Sequence, residues 1–257
     1  MDIQLAIILG AVEGITEFLP ISSTGHMILT ANIMGMKHTD FLKSFEIAIQ
    51  LGAILAVVVL YWRELFVNMV VLKKVITAFI PTGIIGFALY KLIKVYLLGS
   101  SVVVLWALLI GGIVIIALEW WLKDKPAQTT SLEDISYKQA LIIGTAQALA
   151  VIPGVSRSAA TILGGLSLRI DRQVIVIFSF LLATPTMASA TAYDLMKSGV
   201  YFSVDQMAFL AVGFVVSFVV ALLTIKFLLK FVQTHTFIPF GIYRIVLVLI
   251  WLAVFGI

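Results

Sequence analysis

The chain has 257 residues, 62% of them hydrophobic and only 12% charged, with a formal net charge of +4 and no cysteine. Apolar runs of about 20 residues recur along it, so it reads as a polytopic membrane protein rather than a water-soluble domain. The missing cysteine excludes a disulfide framework, a thiolate nucleophile and a Cys-based zinc site. The positive charge is what membrane-protein loops carry and gives no reason to expect nucleic acid as a partner. At roughly 20 residues per element there is room for six to eight membrane elements, hence one integral domain spanning 1–257.

The first apolar stretch, Ile3 to Met36, is too long for a single span and is interrupted at Pro20. It reads as a re-entrant helix-loop-helix hairpin. It has no basic leader and carries Glu13 and Glu17, so it is not expected to be a cleaved signal peptide. Spans are predicted at Ser44 to Trp62, Ile76 to Tyr90 and Val102 to Leu122, followed by a polar linker from Lys123 to Ile135. A second long stretch, Tyr137 to Leu168, is broken at Pro153-Gly154 and reads as another hairpin. Spans at Val174 to Leu195, Met207 to Leu229 and Ile238 to Phe255 complete the chain.

The order of elements therefore repeats. An offset of 134 positions lays Gly10 on Gly144, Glu13 on Gln147, Ser22 on Ser156 and Thr24 on Ser158. The expected fold is all-α, an inverted-topology repeat in which each half is a re-entrant hairpin plus three transmembrane helices. Repeat one covers 1–122, the linker 123–135 and repeat two 136–257. Under that layout ten Lys and Arg residues (Arg63, Lys73, Lys74, Lys123, Lys125, Lys138, Arg169, Arg172, Lys226, Lys230) fall on one side. Five (Lys37, Lys43, Lys91, Lys94, Lys197) fall on the other. The positive-inside rule puts the first group in the cytoplasm, so the first hairpin opens outward, the second inward, and their tips meet near the midplane.

Non-helical backbone survives at membrane depth only against protein or a wet cavity, and the polar residues lie at these two breaks. Glu13 and Glu17 share a helix face. Two carboxylates in a low-dielectric site call for a proton, a cation such as Arg157, or a metal ion; a wet vestibule or backbone capping is the plainer alternative. Beyond Pro20, Ser22, Ser23 and Thr24 are placed to cap the next helix, whose N-terminal N–H groups suit a phosphate. His26, about one turn past Ser23, is a candidate general base for its hydroxyl or itself a nucleophile. In the second break, Ser156-Arg157-Ser158 follows the Pro-Gly turn, and a guanidinium fork suits phosphate. A structural ion pair with Glu13 or Glu17 is its bland alternative. Glu46 and Gln50 form a supporting polar pair on the first span; Arg244 is expected to snorkel to the cytoplasmic interface, and the remaining charges to be solvated in loops. Gly111-Gly112 and Gly164-Gly165 are expected to permit close helix packing.

EGITEFLPISSTGH, FEIAIQLGA, PGVSRSAAT and FIPFGIYR together resemble the bacterial undecaprenyl-diphosphatases linked to bacitracin resistance, over essentially the whole chain. The resemblance implies hydrolysis of undecaprenyl pyrophosphate to undecaprenyl phosphate and inorganic phosphate, which recycles the lipid carrier of peptidoglycan synthesis. It implies an outward-facing site in the bacterial cytoplasmic (inner) membrane, assisted by Mg²⁺ or Ca²⁺, with Glu13, Glu17, Ser23, His26 and Arg157 as its functional residues. Glu13 and Glu17 are the expected oxygen ligands of that ion. The expected chemistry is in-line attack on the terminal phosphorus by Ser23 deprotonated by His26, with direct attack by His26 and carboxylate-activated water as alternatives. Arg157, Ser22, Thr24, Ser156 and Ser158 would bind substrate oxygens. The expected partners are a polyprenyl pyrophosphate and membrane lipid, with a homodimer left open. The competing reading is a transporter or lipid-carrier flippase, since inverted repeats with broken helices are transporter architecture.

Overall fold

The computed structural model describes residues 2–36, 39–96, 100–198 and 204–256; Lys37 of the topology count lies outside them. Every regular element described is helical: α1 (Ile3–Thr16), α2 (Ser23–Ile33), α3 (Asp40–Leu60), α4 (Trp62–Phe66), α5 (Met69–Tyr96) and α6 (Ser101–Leu122), then α7 (Tyr137–Ala148), α8 (Arg157–Ser167), α9 (Arg172–Ser198), α10 (Val204–Phe231) and α11 (Ile238–Phe255). A single 3₁₀ turn, Leu149–Val151, follows α7.

Among the described residues, five helices are long and apolar enough to cross a membrane, over Met69–Ala88, Ser101–Leu122, Arg172–Ala192, Gln206–Phe231 and Ile238–Phe255. The expected span at Ser44 to Trp62 is apolar over the shorter stretch Ser44–Leu60, and α3 stops at Tyr61 before the one-turn α4. The span expected from Ile76 starts earlier, at Met69, and Pro81 lies inside α5 just as Pro185 lies inside α9. A proline removes one intrahelical bond but does not end a helix whose neighbours hold it on both sides.

Both interrupted stretches are helix, break, helix. Residues Glu17 to Ser22 separate α1 from α2, and Leu149 to Ser156 separate α7 from α8. Helices of 14 and 12 residues reach about 21 and 18 Å, short of a hydrocarbon core of about 30 Å. Packing crosses the two halves of the chain: α1 lies on α10 and α7 on α5, while α6 packs against α11 and α3 against both α9 and α10. Small residues allow the first two approaches. A Cβ added at Gly10 would sit 2.6 Å from the Gly213 carbonyl oxygen, and one at Gly144 only 1.8 Å from that of Ala78. Gly112 likewise meets the Gly241 backbone between α6 and α11. Phe18, fully buried at the first break, packs edge-on against Phe180 of α9 at 5.1 Å.

One expectation about charge is overturned. Glu119, read with the solvated charges, is buried; it accepts from Arg172 Nη2 at 2.6 Å and from the Phe237 backbone N–H at 2.9 Å. It satisfies the free amide at the start of α11, which a carboxylate at a helix N-terminus does well. The linker is docked on the helices: Lys74 donates to the Glu133 carbonyl, Asn68 to the Glu133 carboxylate, and Ile135 is fully buried.

Candidate active site

The two breaks face each other across one cavity of about 170 Å³. Its walls come from Glu17, Ser22, Ser23 and Thr24 of the first break, Gly154, Ser156 and Arg157 of the second, and Gln50 of α3. Glu13, Glu46, His26 and Ser158 are not part of that lining.

Each break turns on a serine. Ser22 and Ser156 both have φ of 74°, a left-handed conformation uncommon for residues with a Cβ. Each caps the helix that follows, Ser22 Oγ accepting from the Gly25 N–H at 3.3 Å and Ser156 Oγ from the Ala159 N–H at 3.2 Å. Such non-glycine strain persists only where the surrounding structure holds it, here through the cap each serine makes. The N-termini of α2 and α8 thus flank the same space, with unpaired backbone donors and the positive ends of their dipoles.

Arg157, the first residue of α8, crosses between the tips. Its Nη2 pairs with Glu17 Oε1 at 2.8 Å and its Nη1 donates to the Ser179 carbonyl of α9 at 2.9 Å. The guanidinium carbon lies 5.8 Å from the centre of the Phe18 ring, and Nε is buried without a hydrogen bond. Glu17's other oxygen, Oε2, accepts from Ser23 Oγ at 2.5 Å. One carboxylate therefore joins the hydroxyl of the first tip to the cation of the second. Glu13 is buried beside Glu17, with Glu46 and Arg157 near enough to act on it electrostatically.

His26 is not turned to Ser23. Its Nδ1 lies 2.8 Å from the Ser22 carbonyl oxygen and its Nε2 2.8 Å from Tyr243 Oη of α11. The expected Ser23-His26 pair is replaced in this structure by Ser23-Glu17. Ser158 is fully buried and donates to the Leu19 carbonyl at 2.8 Å, tying the two breaks together by backbone rather than lining the cavity.

Arg244 corrects the expectation of snorkelling: it is 0% exposed. Its Nη2 donates to the carbonyls of Gly154 at 2.7 Å and Ala107 at 3.1 Å, and its Nη1 to that of Val155 at 3.3 Å. Breaking α7 frees carbonyls that water cannot reach, and a donor-only guanidinium answers several of them at once. Gly111 makes the room, since a Cβ there would lie 2.5 Å from Arg244 Nη2. Tyr243, Ser179 and Arg244 are the residues that sequence reading missed as site neighbours. The only signal for Arg244 was a charge inside a span.

Comparison with known proteins decides the family. The family described as bacitracin resistance protein BacA matches residues 6–250. The chain belongs to that family. It is 54% identical over 252 residues to the undecaprenyl-diphosphatase of Wolinella succinogenes, covering 98% of both chains. It is 52% identical over 250 residues to that of Aquifex aeolicus, covering 97% of both. A Campylobacter jejuni undecaprenyl-diphosphatase is 50% identical over 248 residues, 96% of this chain and 92% of the relative. The matched residues 6–250 include both breaks and the cavity between them.

Proposed function

We propose that this multi-pass membrane protein is an undecaprenyl-diphosphatase that hydrolyses the terminal phosphoanhydride of undecaprenyl diphosphate at the cavity between the two breaks. The observation that carries the chemistry is the chain Ser23 Oγ, Glu17, Arg157, which sets a hydroxyl, a proton acceptor and a cation side by side on one cavity wall. Ser23 attacks the terminal phosphorus in line and passes its proton to Glu17. The bridging P–O bond breaks, and its electrons leave on undecaprenyl phosphate. Water then hydrolyses the phosphoserine, releasing inorganic phosphate and restoring Ser23. Arg157 Nε, buried without a partner, is a donor for the phosphoryl oxygens, and the N-termini of α2 and α8 supply more. His26 serves as the acid-base group at the rim.

Among the described residues no group of three or more His, Cys, Asp and Glu forms a metal cage. A Mg²⁺ or Ca²⁺ shared with substrate phosphates needs only one or two carboxylates, and the buried Glu13-Glu17 pair fits that donor chemistry. When bound there, the ion would neutralise phosphate charge. The prenyl chain would lie against apolar helices; an apolar groove of about 70 Å³ between α6 and α11, lined by Val248 and Leu252, lies about one and a half to two and a half turns along α11 from Tyr243.

We further propose the inverted repeat, with re-entrant hairpins and an outward-facing site. It is supported by the crossed packing of α1 on α10 and α7 on α5, by the matched caps at Ser22 and Ser156, and by the ten-to-five Lys and Arg bias. The test is phosphate release from undecaprenyl diphosphate by purified protein in detergent, and in sealed vesicles with substrate on one side. Release by the wild type, and its loss in Ser23→Ala, supports hydrolysis at this cavity. Movement of intact lipid without phosphate release would replace it with transport.

A further inference from the structure

We infer that Tyr243 is a positioning residue for His26, holding the imidazole in one orientation beside the cavity. The inference rests on the proposed role of His26.

The argument starts from what each atom can do. The Ser22 carbonyl only accepts, so the 2.8 Å contact to His26 Nδ1 puts the ring proton on Nδ1. In the neutral ring Nε2 then carries the lone pair, and the group facing it at 2.8 Å is the Tyr243 hydroxyl, which donates. A phenol both donates and accepts, so the same contact persists, with its direction reversed, when His26 is charged. The two rings lie nearly in one plane, 8° from parallel with centroids 5.6 Å apart, as a hydrogen bond between their edges requires. The imidazole is thus fixed at both nitrogens.

Tyr243 is itself fixed. The next residue, Arg244, is clasped to the carbonyls of Gly154 and Val155 in the second break and of Ala107 in α6. Two consecutive residues of α11 therefore hold one group from each break, Arg244 the second and Tyr243 the first. Neither contact belongs to the Ser23-Glu17-Arg157 chain. Tyr243 is 43% exposed, so core filling does not explain a hydroxyl placed against Nε2.

The experiment is Tyr243→Phe, which keeps the aromatic face and removes only the hydroxyl. The expected result is a kcat lower by about tenfold, the scale of one hydrogen bond, with KM within about twofold. In ¹⁵N-histidine-labelled protein, the Nε2 resonance of His26, assigned by its loss in His26→Ala, shifts toward the value of an unbonded ring nitrogen. In the His26→Ala background, Tyr243→Phe costs nothing further. An unmoved Nε2 resonance, or a kcat loss that persists in full without His26, overturns the inference. If His26→Ala alone retains wild-type kcat, the catalytic reading of His26 fails, while the Nε2 shift still decides whether Tyr243 holds the ring.

Discussion

The two breaks share a backbone and differ in what their side chains are used for. Both turn at a serine with φ of 74° that caps the following helix. In the first, the polar groups reach the cavity: Ser23 rests on Glu17, and Thr24 lines the wall. In the second, two hydroxyls hold the structure together, Ser158 on the Leu19 carbonyl and Thr161 within hydrogen-bonding reach of Ser179 Oγ at 2.6 Å, while Ser156 and Arg157 line the cavity. The same contrast runs one turn earlier. Glu13 sits beside Glu17, while Gln147 is spent on Thr82 and Thr186 at 2.9 and 3.0 Å. One break brings a hydroxyl and its carboxylate partner to the cavity, and the other brings the cation and the ties between the breaks.

Removing the reactive hydroxyl should have the largest effect. Ser23→Ala is expected to lower kcat by about 10⁴-fold without unfolding the protein, since a nucleophile has no substitute among its neighbours; phosphate release checks it, and near-normal turnover would take Ser23 out of the reaction. Arg157→Ala comes next, at about 10³-fold in kcat/KM, and Arg157→Lys should recover only part of it, because an ammonium cannot keep two of the guanidinium's contacts at once.

The next test exchanges character between the halves. In Gln147→Glu the new carboxylate would face Thr82 and Thr186, whose protons already go to the carbonyls of Gly144 and Leu182. With no donor left, it should cost about 3 kcal/mol, read as a lower midpoint of thermal unfolding in detergent. An unchanged midpoint would mean the two positions are more alike than their contacts. The smallest effect is expected from Ser158→Ala, about 1 kcal/mol for the lost bond to Leu19, with activity within about threefold. A loss of activity as large as that of Arg157→Ala would show that Ser158 meets substrate after all.

The sequence alone determined the membrane character, the two interruptions at Pro20 and Pro153-Gly154, and the residues clustered there. These are local properties: apolar run length, a missing N–H, and the cost of polar groups at depth. Which group each polar residue meets was decided by the tertiary structure. Ser23 and His26 are three apart, yet Ser23 turns to Glu17 across the break and His26 to Tyr243, which α11 brings from 217 positions away. Arg244 was expected at the interface and Glu119 among the solvated loop charges, and both are buried. The carbonyls left open by the second break and the free amide at the start of α11 needed a donor and an acceptor that water does not supply there. Helical periodicity shows which residues share a face, but satisfying backbone broken at membrane depth is a three-dimensional problem, solved here with residues about 90 and 118 positions away.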